Sequence, residues 1–330
     1  MILREDEIPY AGAPAVGGLA FVGDVHLSSR RPLRRVETDW PGPVLRKLEW
    51  VVDLSRERDL LVVFLGDLFD RPHEPDESLK TAVARILSGT RLRPVVTAGN
   101  HDTGATELTD GDTLALLGEA GVLDVAARGG PVARVTVEGD RIGVGSTPHG
   151  RPVPLDVRHA FDAYGPVDRT VWTVHHDVSL GRPYPGSTPP YSVRGCDAVV
   201  MGHVHARTMG VRVGETTWHC PGSLARTSID LEDHVPVVVT MGGGGTFDTV
   251  VVPHAADPWD RTGRVVAPSD PGSSGFVEAL LARDVADMRR SGTAEGLRAL
   301  ARARIREDDS PAVAAMVDDL IDRAVDDADA

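Results

Sequence analysis

Five short polar motifs stand in order along the chain: Gly23-Asp24-Val25-His26, Gly66-Asp67-Leu68-Phe69-Asp70-Arg71, Gly99-Asn100-His101-Asp102, Val174-His175-His176 and Gly202-His203-Val204-His205. Each follows an apolar, β-branched run. Asp24, His26, Asp67, Asn100, His175, His203 and His205 together offer two carboxylates, one amide oxygen and four imidazoles. Two divalent ions held close together need one bridging carboxylate, further oxygen and imidazole ligands, and open positions for water and substrate. Asp67 is the natural bridge. The spacing assigns Asp24, His26, Asp67 and His205 to one ion, and Asp67, Asn100, His175 and His203 to the other. The chemistry of such a centre is hydrolysis of a phosphate ester. His101, directly after Asn100, is the expected general acid for the leaving oxygen. Asp70 is expected to hold the His101 ring in the useful tautomer, with Asp102 a second choice for that task. His176 is a pocket or core histidine beside a ligand.

The elements that must position these groups follow from the apolar pattern. Leu19 to Val22, Leu60 to Leu65 and Pro94 to Thr97 read as buried strands. The helices between them span 43–59, with Val44, Leu48, Val51 and Val52 on one face, and 76–88, with Leu79, Val83, Ile86 and Leu87. This βαβαβ alternation predicts parallel strands with right-handed crossovers. Ligands gather at the carboxyl ends of such strands, where the motifs sit. In the second half, 132–138, 141–146, 170–175, 197–202, 210–218, 235–241 and 246–252 read as short strands forming hairpins and a second sheet. Residues 1–18 read as a loose leader, 19–253 as the catalytic domain and 254–275 as a Pro/Gly/Ser-rich linker. Helices are expected near 276–290, 294–306 and 311–326. Ser310 caps the last, Pro311 suits its first turn, and Val313, Met316, Val317, Leu320 and Ile321 form its apolar stripe.

The chain has 330 residues, 41% of them hydrophobic and 25% charged, as in an ordinary soluble protein. No stretch has the length of a membrane span, and the acidic start lacks the pattern of a signal peptide. Cys196 and Cys220 are the only cysteines, so a disulfide framework is not expected and a reducing, cytoplasmic setting is. A net charge of −14 argues against a non-specific nucleic-acid coat protein, which needs a broad basic face. It leaves room for a nuclease, because bound metals add local positive charge.

The motif set resembles the calcineurin-like metallophosphoesterase superfamily across roughly residues 19–253. The resemblance implies an α/β fold, a four-layer α-β-β-α sandwich of two mixed sheets, here with a C-terminal helical extension. It also implies two divalent ions, Mn2+ first, with Fe, Zn or Co as alternatives. Within the superfamily the chain looks most like the SbcD nucleases, relatives of the meiotic-recombination-eleven nuclease. Gly66-Asp67-Leu68-Phe69-Asp70 with Arg71-Pro72, and Pro221-Gly222-Ser223 after the last motif, carry that narrower likeness. It implies DNA exo- or endonuclease activity in repair or recombination, and an SbcC-type ATPase partner docking on the C-terminal helices. The chain departs from the SbcD pattern after the core, where a larger capping domain is usual.

Arg30, Arg31, Arg34 and Arg35 follow the first motif and are expected to grip backbone phosphates. The amides around Gly222 and Ser223 are a second expected phosphate contact. His73, His149 and His219 lie near motifs or turns. A homodimer through helical surfaces of the first half is compatible with the pattern. The competing functions are a phosphatase or phosphodiesterase acting on small molecules or phosphoproteins, and a non-catalytic metal-stabilised subunit.

Overall fold

A computed structural model of the chain describes residues 1–3, 8–256 and 258–260; all of them belong to one compact unit, Met1–Arg261. In chain order the strands are β1 (Ala15–Val16), β2 (Gly18–Val22), β3 (Leu60–Phe64), β4 (Val95–Thr97), β5 (Asp124–Ala126), β6 (Gly130–Val137), β7 (Asp140–Thr147), β8 (Arg169–His175), β9 (Ala198–Gly202), β10 (Thr208–Val213), β11 (Thr216–Cys220), β12 (Val237–Met241) and β13 (Phe247–Val251). The α-helices are α1 (Gly42–Arg58), α2 (Glu77–Leu87) and α3 (Thr113–Glu119).

Two mixed sheets face each other. One has the order β13-β12-β2-β3-β4-β5, the other β1-β6-β7-β8-β9-β11-β10. In the first, β2, β3, β4 and β5 run parallel and β12 antiparallel beside β2. In the second, β7, β8, β9 and β11 run parallel. The parallel strands are buried on both faces, which explains their continuous apolar runs.

The apolar residues sort into three layers. Leu19, Phe21, Leu61 and Val63 meet Val135, Val144, Val171 and Val200 between the sheets. Leu48 and Val51 of α1, Val83 and Leu87 of α2 and Leu114 of α3 cover the outer face of the first sheet. On the outer face of the second, Val157, Phe161 and Val193 pack on Trp172, Val199 and Trp218. No α-helix stands there among the described residues; turns within 153–167 and 178–196 form that layer instead.

Local chemistry sets the helix ends. Asp76 caps α2, its carboxylate accepting from the N–H groups of Ser78 and Leu79 at 2.8 and 3.2 Å. Arg56 and Arg58 lie in the last turn of α1, where cations suit the helix dipole. Both helices match their expected ranges within one residue.

Several expectations need correction. Residues 1–18 are not a loose leader: Leu3, Ile8 and Val16 are buried, and β1 pairs with β6. The stretch 210–218 is not one strand but the end of β10, a turn at Gly214-Glu215 and the start of β11; Gly214 takes a positive φ of 58° there. The start of the linker is packed. Trp259 is buried, and the Arg35 guanidinium lies 5.3 Å from the ring centroids of both Trp40 and Trp259. The helices expected over 276–330 lie outside the described residues. No helix among the described residues is long and apolar enough to cross a membrane.

The layer between the sheets fixes how the motif loops meet. Phe21 is fully buried there and stacks on Phe247 at 6.1 Å. Phe21→Ala is expected to cost about 3–5 kcal/mol in urea unfolding; a cost under about 1 kcal/mol would contradict this packing.

Candidate metal centre

The motif loops leave the carboxyl ends of β2, β3, β4, β8 and β9 and converge on one edge of the two sheets. The first two loops stay paired beyond their strands. The N–H groups of His26 and Leu27 donate to the carbonyls of Asp67 and Leu68 at 2.9 Å, and Asp70 N–H donates to the Leu27 carbonyl at 2.9 Å. Asp24, His26, Asp67 and His203 all adopt positive φ, at 41°, 47°, 49° and 76°. L-residues enter this region at a cost, so four of the seven expected ligands turn back sharply to aim at a common point. Gly66 and Gly99 leave room for this. A Cβ on Gly66 would overlap the His175 ring, and one on Gly99 would overlap Asp67.

All seven expected ligands come together. Asp24, His26 and His205 offer ligand atoms within 4.8 Å of one another, and so do Asp67, His175 and His203. Asn100 belongs with the second group: its Oδ1 lies 3.0 Å from both His175 Nε2 and His203 Nδ1. In the first group, His26 Nε2 and His205 Nε2 are 3.0 Å apart. Asp67 lies between the groups, with Oδ2 3.2 Å from His175 Nε2 and 3.9 Å from His26 Nε2. Its Oδ1 accepts from His101 N–H at 2.9 Å.

These residues fit two divalent cations. Asp24 is fully buried and its Oδ2 has no hydrogen-bond partner among the described residues. A buried, unpartnered carboxylate oxygen is costly without a cation. The oxygen and imidazole donors, with no thiolate, suit Mn, Fe, Zn or Co.

The electrostatics agree. Burial alone would keep the rings of His26 and His175 uncharged. The carboxylates of Asp70, Asp67 and Asp24 outweigh it at His26 and raise its pKa to about 9. Asp67 and Asp24 do the same at His175, also to about 9. Burial of Asp67 is likewise overcome by His175, His101 and His26, which hold its carboxyl well below the usual range. The site thus favours positive charge. His205, where burial dominates, is lowered to about 4.

Around the ligands stand groups that orient them. His175 Nδ1–H donates to the Leu65 carbonyl at 2.7 Å. His203 turns its Nε2 to the Asp177 carboxylate at 3.1 Å. Sequence reasoning missed Asp177; its only signal is its place two residues after His175. Asp70 differs from expectation. Its carboxylate faces His26 Nδ1 at 3.6 Å, and its backbone carbonyl, not its side chain, meets His101 Nδ1 at 2.8 Å. Asp102 does not orient His101 either. It accepts from Phe69 and Gly99 N–H at 3.1 and 2.9 Å, tying the second and third loops together. Burial and the nearby Asp67 raise its pKa to about 7.

The expected substrate contacts separate. Ser223 is fully buried, and its one hydroxyl proton lies between the carbonyls of Asp24, at 2.9 Å, and Ala225. It supports the first loop and does not face the site. Lys47 supports the same turn, its Nζ donating to the Leu224 carbonyl at 2.7 Å. Arg35 is buried and bound to Glu37, so it leaves the phosphate-gripping set. Arg34 reaches the Asp260 carbonyl at 3.4 Å. Arg30 and Arg31 are exposed. His219 is buried against Phe247, at a centroid distance of 4.1 Å, and lies off the centre. His73 is exposed. His176 bonds the Arg151 carbonyl at 2.6 Å. Cys196 and Cys220 are buried and unbridged.

The description of the calcineurin-like phosphoesterase family matches residues 18–207, and the chain belongs to that family. A search of the curated proteins gives no match. Among solved structures, the chain is similar to a 5'-nucleotidase precursor from Thermus thermophilus, with 18% identity and a TM-score of 0.46 over 82% of this chain and 59% of that one. The NAD nucleotidase of Haemophilus influenzae gives 13% and 0.40 over 71% and 48%. The calcineurin-like phosphoesterase YfkN from Bacillus subtilis gives 14% and 0.39 over 72% and 89%. This chain thus spans little more than half the length of the first. At these TM-scores the likenesses carry no argument about activity.

Two outcomes test the centre. Coordination needs neutral imidazole, so metals compete with protons at His26 and His175 below about pH 9. Loading between pH 7 and 8 is expected to release about two protons per chain, read by calorimetry in buffers of different ionisation enthalpy, and affinity is expected to fall as pH falls. Uptake without proton release would contradict this. Asp177→Asn is expected to weaken metal binding about 10- to 100-fold while the fold persists; unchanged affinity would remove its positioning role.

Proposed function

We propose that this metal-dependent phosphoester hydrolase is a phosphodiesterase whose substrate is DNA, a nuclease of the SbcD type. Family membership supports the hydrolase class. The exposed Arg30 and Arg31 past the first loop support a polyanionic substrate, and the observation that carries the hydrolytic step is the place of His101. It is the half-buried imidazole that stands edge-on to His26 at 5.0 Å, outside the seven expected ligands although its ligand atom also lies within 4.8 Å of those of His26 and Asp70. Its Nδ1–H donates to the Asp70 carbonyl, so Nε2 faces away from that bond and, in the doubly protonated ring, carries the proton that passes to a leaving oxygen, leaving the ring neutral. An alkoxide leaving group, such as a nucleotide hydroxyl, needs that proton.

Asp24, His26, Asp67 and His205 would hold one cation, and Asp67, Asn100, His175 and His203 the other. Two such ions supply Lewis acidity, polarising water and neutralising phosphoryl charge. The chain's own groups fix the geometry: Asp177 hydrogen-bonds the ring of His203, the Asp70 carboxylate lies 3.6 Å from His26 Nδ1, and Asp102 holds two loops in register. The exposed Arg30 and Arg31 lie just past the first loop and supply positive charge for a polyanionic backbone.

The reading extends to a cytoplasmic setting, to Mn2+ as the working ion, and to an SbcC-type ATPase or a second copy of the chain as partner. The ATPase would dock on 276–330, outside the described residues. A small-molecule phosphatase is the competing reading.

Side-by-side assays with Mn2+ on duplex DNA ends, single-stranded DNA, a bis-aryl phosphodiester and an aryl phosphomonoester separate the two. DNA and the diester are expected to be cleaved faster than the monoester. His101→Ala is expected to lower diester turnover about 100- to 10,000-fold with metal content intact. Hydrolysis of the monoester alone would overturn the nuclease reading, and unchanged turnover would overturn the role of His101.

A further inference from the structure

We propose that His149 is a substrate-contacting residue, whose ring N–H donates to a phosphoryl oxygen on the side of the centre away from His101. The inference deepens the phosphodiesterase reading and rests on it. His149 belongs to neither ligand group. Its ring centroid nevertheless lies 6.2 Å from that of His175 and 5.8 Å from that of His203. Both are in the second ligand group, whereas His101 flanks His26 in the first. His101, close to His26 and Asp70, and His149, in no candidate metal-holding set, therefore stand on opposite sides of the centre, one beside each group.

The loop holding His149 is fixed on both sides. Its backbone N–H donates to the Ala98 carbonyl at 3.0 Å, two residues before Asn100. Two residues further on, the Arg151 carbonyl is bonded by His176 Nε2 at 2.6 Å. The ring is thus positioned by the strands that deliver Asn100 and His175. It has no hydrogen-bond partner among the described residues, and the residue is exposed. A polar ring pinned by its backbone, open to solvent and set over two metal ligands is placed to meet what enters from solvent. The chemistry of the centre makes that a phosphoryl group, whose oxygens accept hydrogen bonds. A bond to a charged acceptor is among the stronger ones.

Inorganic phosphate is the probe. Wild-type protein, His149→Ala and His149→Gln are loaded with Mn2+. Metal content is measured by mass spectrometry, phosphate binding by calorimetry, and kcat and KM on the bis-aryl phosphodiester. His149→Ala is expected to keep two metals per chain, weaken phosphate about tenfold and lower kcat/KM similarly. His149→Gln, which keeps a donor, is expected to recover part of both. Wild-type phosphate affinity in fully loaded His149→Ala overturns the inference alone. Loss of a metal equivalent in that variant also overturns it, because His149 would then be a ligand or a structural support. If loaded wild-type protein neither binds phosphate nor cleaves the diester, the phosphodiesterase reading fails and this inference with it.

Discussion

A carboxylate buried between two groups of imidazoles holds this structure together. Asp67 is nearly inaccessible, with one oxygen facing His175 and His26 and the other accepting the His101 amide. It leaves β3 of the first sheet, while His175 and His203 leave β8 and β9 of the second. The centre is therefore also a joint between sheets, and closing it aligns their edges. Buried anions of this kind are tolerated only when opposite charge is close. Two cations would satisfy Asp24 and Asp67 together, which the surrounding imidazoles do only in part.

The arrangement has a conformational cost. Non-glycine residues at positive φ cost of order 1–3 kcal/mol each, and Asp24, His26, Asp67 and His203 are all in that region. The neighbourhood holds them there. Ser223 grips the Asp24 carbonyl, Asp102 ties the second and third loops together, and the backbone of the second loop pairs with that of the first. His203 N–H donates to Asp24 Oδ1 at 2.9 Å, linking the last motif to the first. These buried groups set positions and reach no substrate. The groups of the proposed reaction that reach solvent are fewer: His101, half-buried, and His149, Arg30 and Arg31, exposed.

The convergence of the seven candidate ligands was legible because each is a polar residue ending an apolar run, and strand ends are where α/β folds collect ligands. The three-stranded parallel start and its two helices were legible for the same reason. What failed was whatever depended on contacts between distant segments. Ser223 sits in a Pro-Gly-Ser turn that reads as an open phosphate loop, yet the first motif closes over it. Arg35 reads like its neighbours Arg30, Arg31 and Arg34, until Trp259 arrives from far along the chain to cover it. Asp177 is one carboxylate among many acids, and only the turn after β8 brings it to His203. The N-terminal segment has the composition of a loose end, yet Leu3, Ile8 and Val16 find apolar partners. The short α3 lies between Gly111 and Gly121 and is too brief to show a period.

The central claim is that Asp67 joins two cations into a pair. Electron paramagnetic resonance of the protein loaded with two equivalents of Mn2+ tests it most directly. The account predicts the spectrum of an exchange-coupled dimanganese centre, which Asp67→Ala converts to isolated ions or to loss of metal. Two uncoupled Mn2+ signals in the wild-type protein at full loading would contradict it.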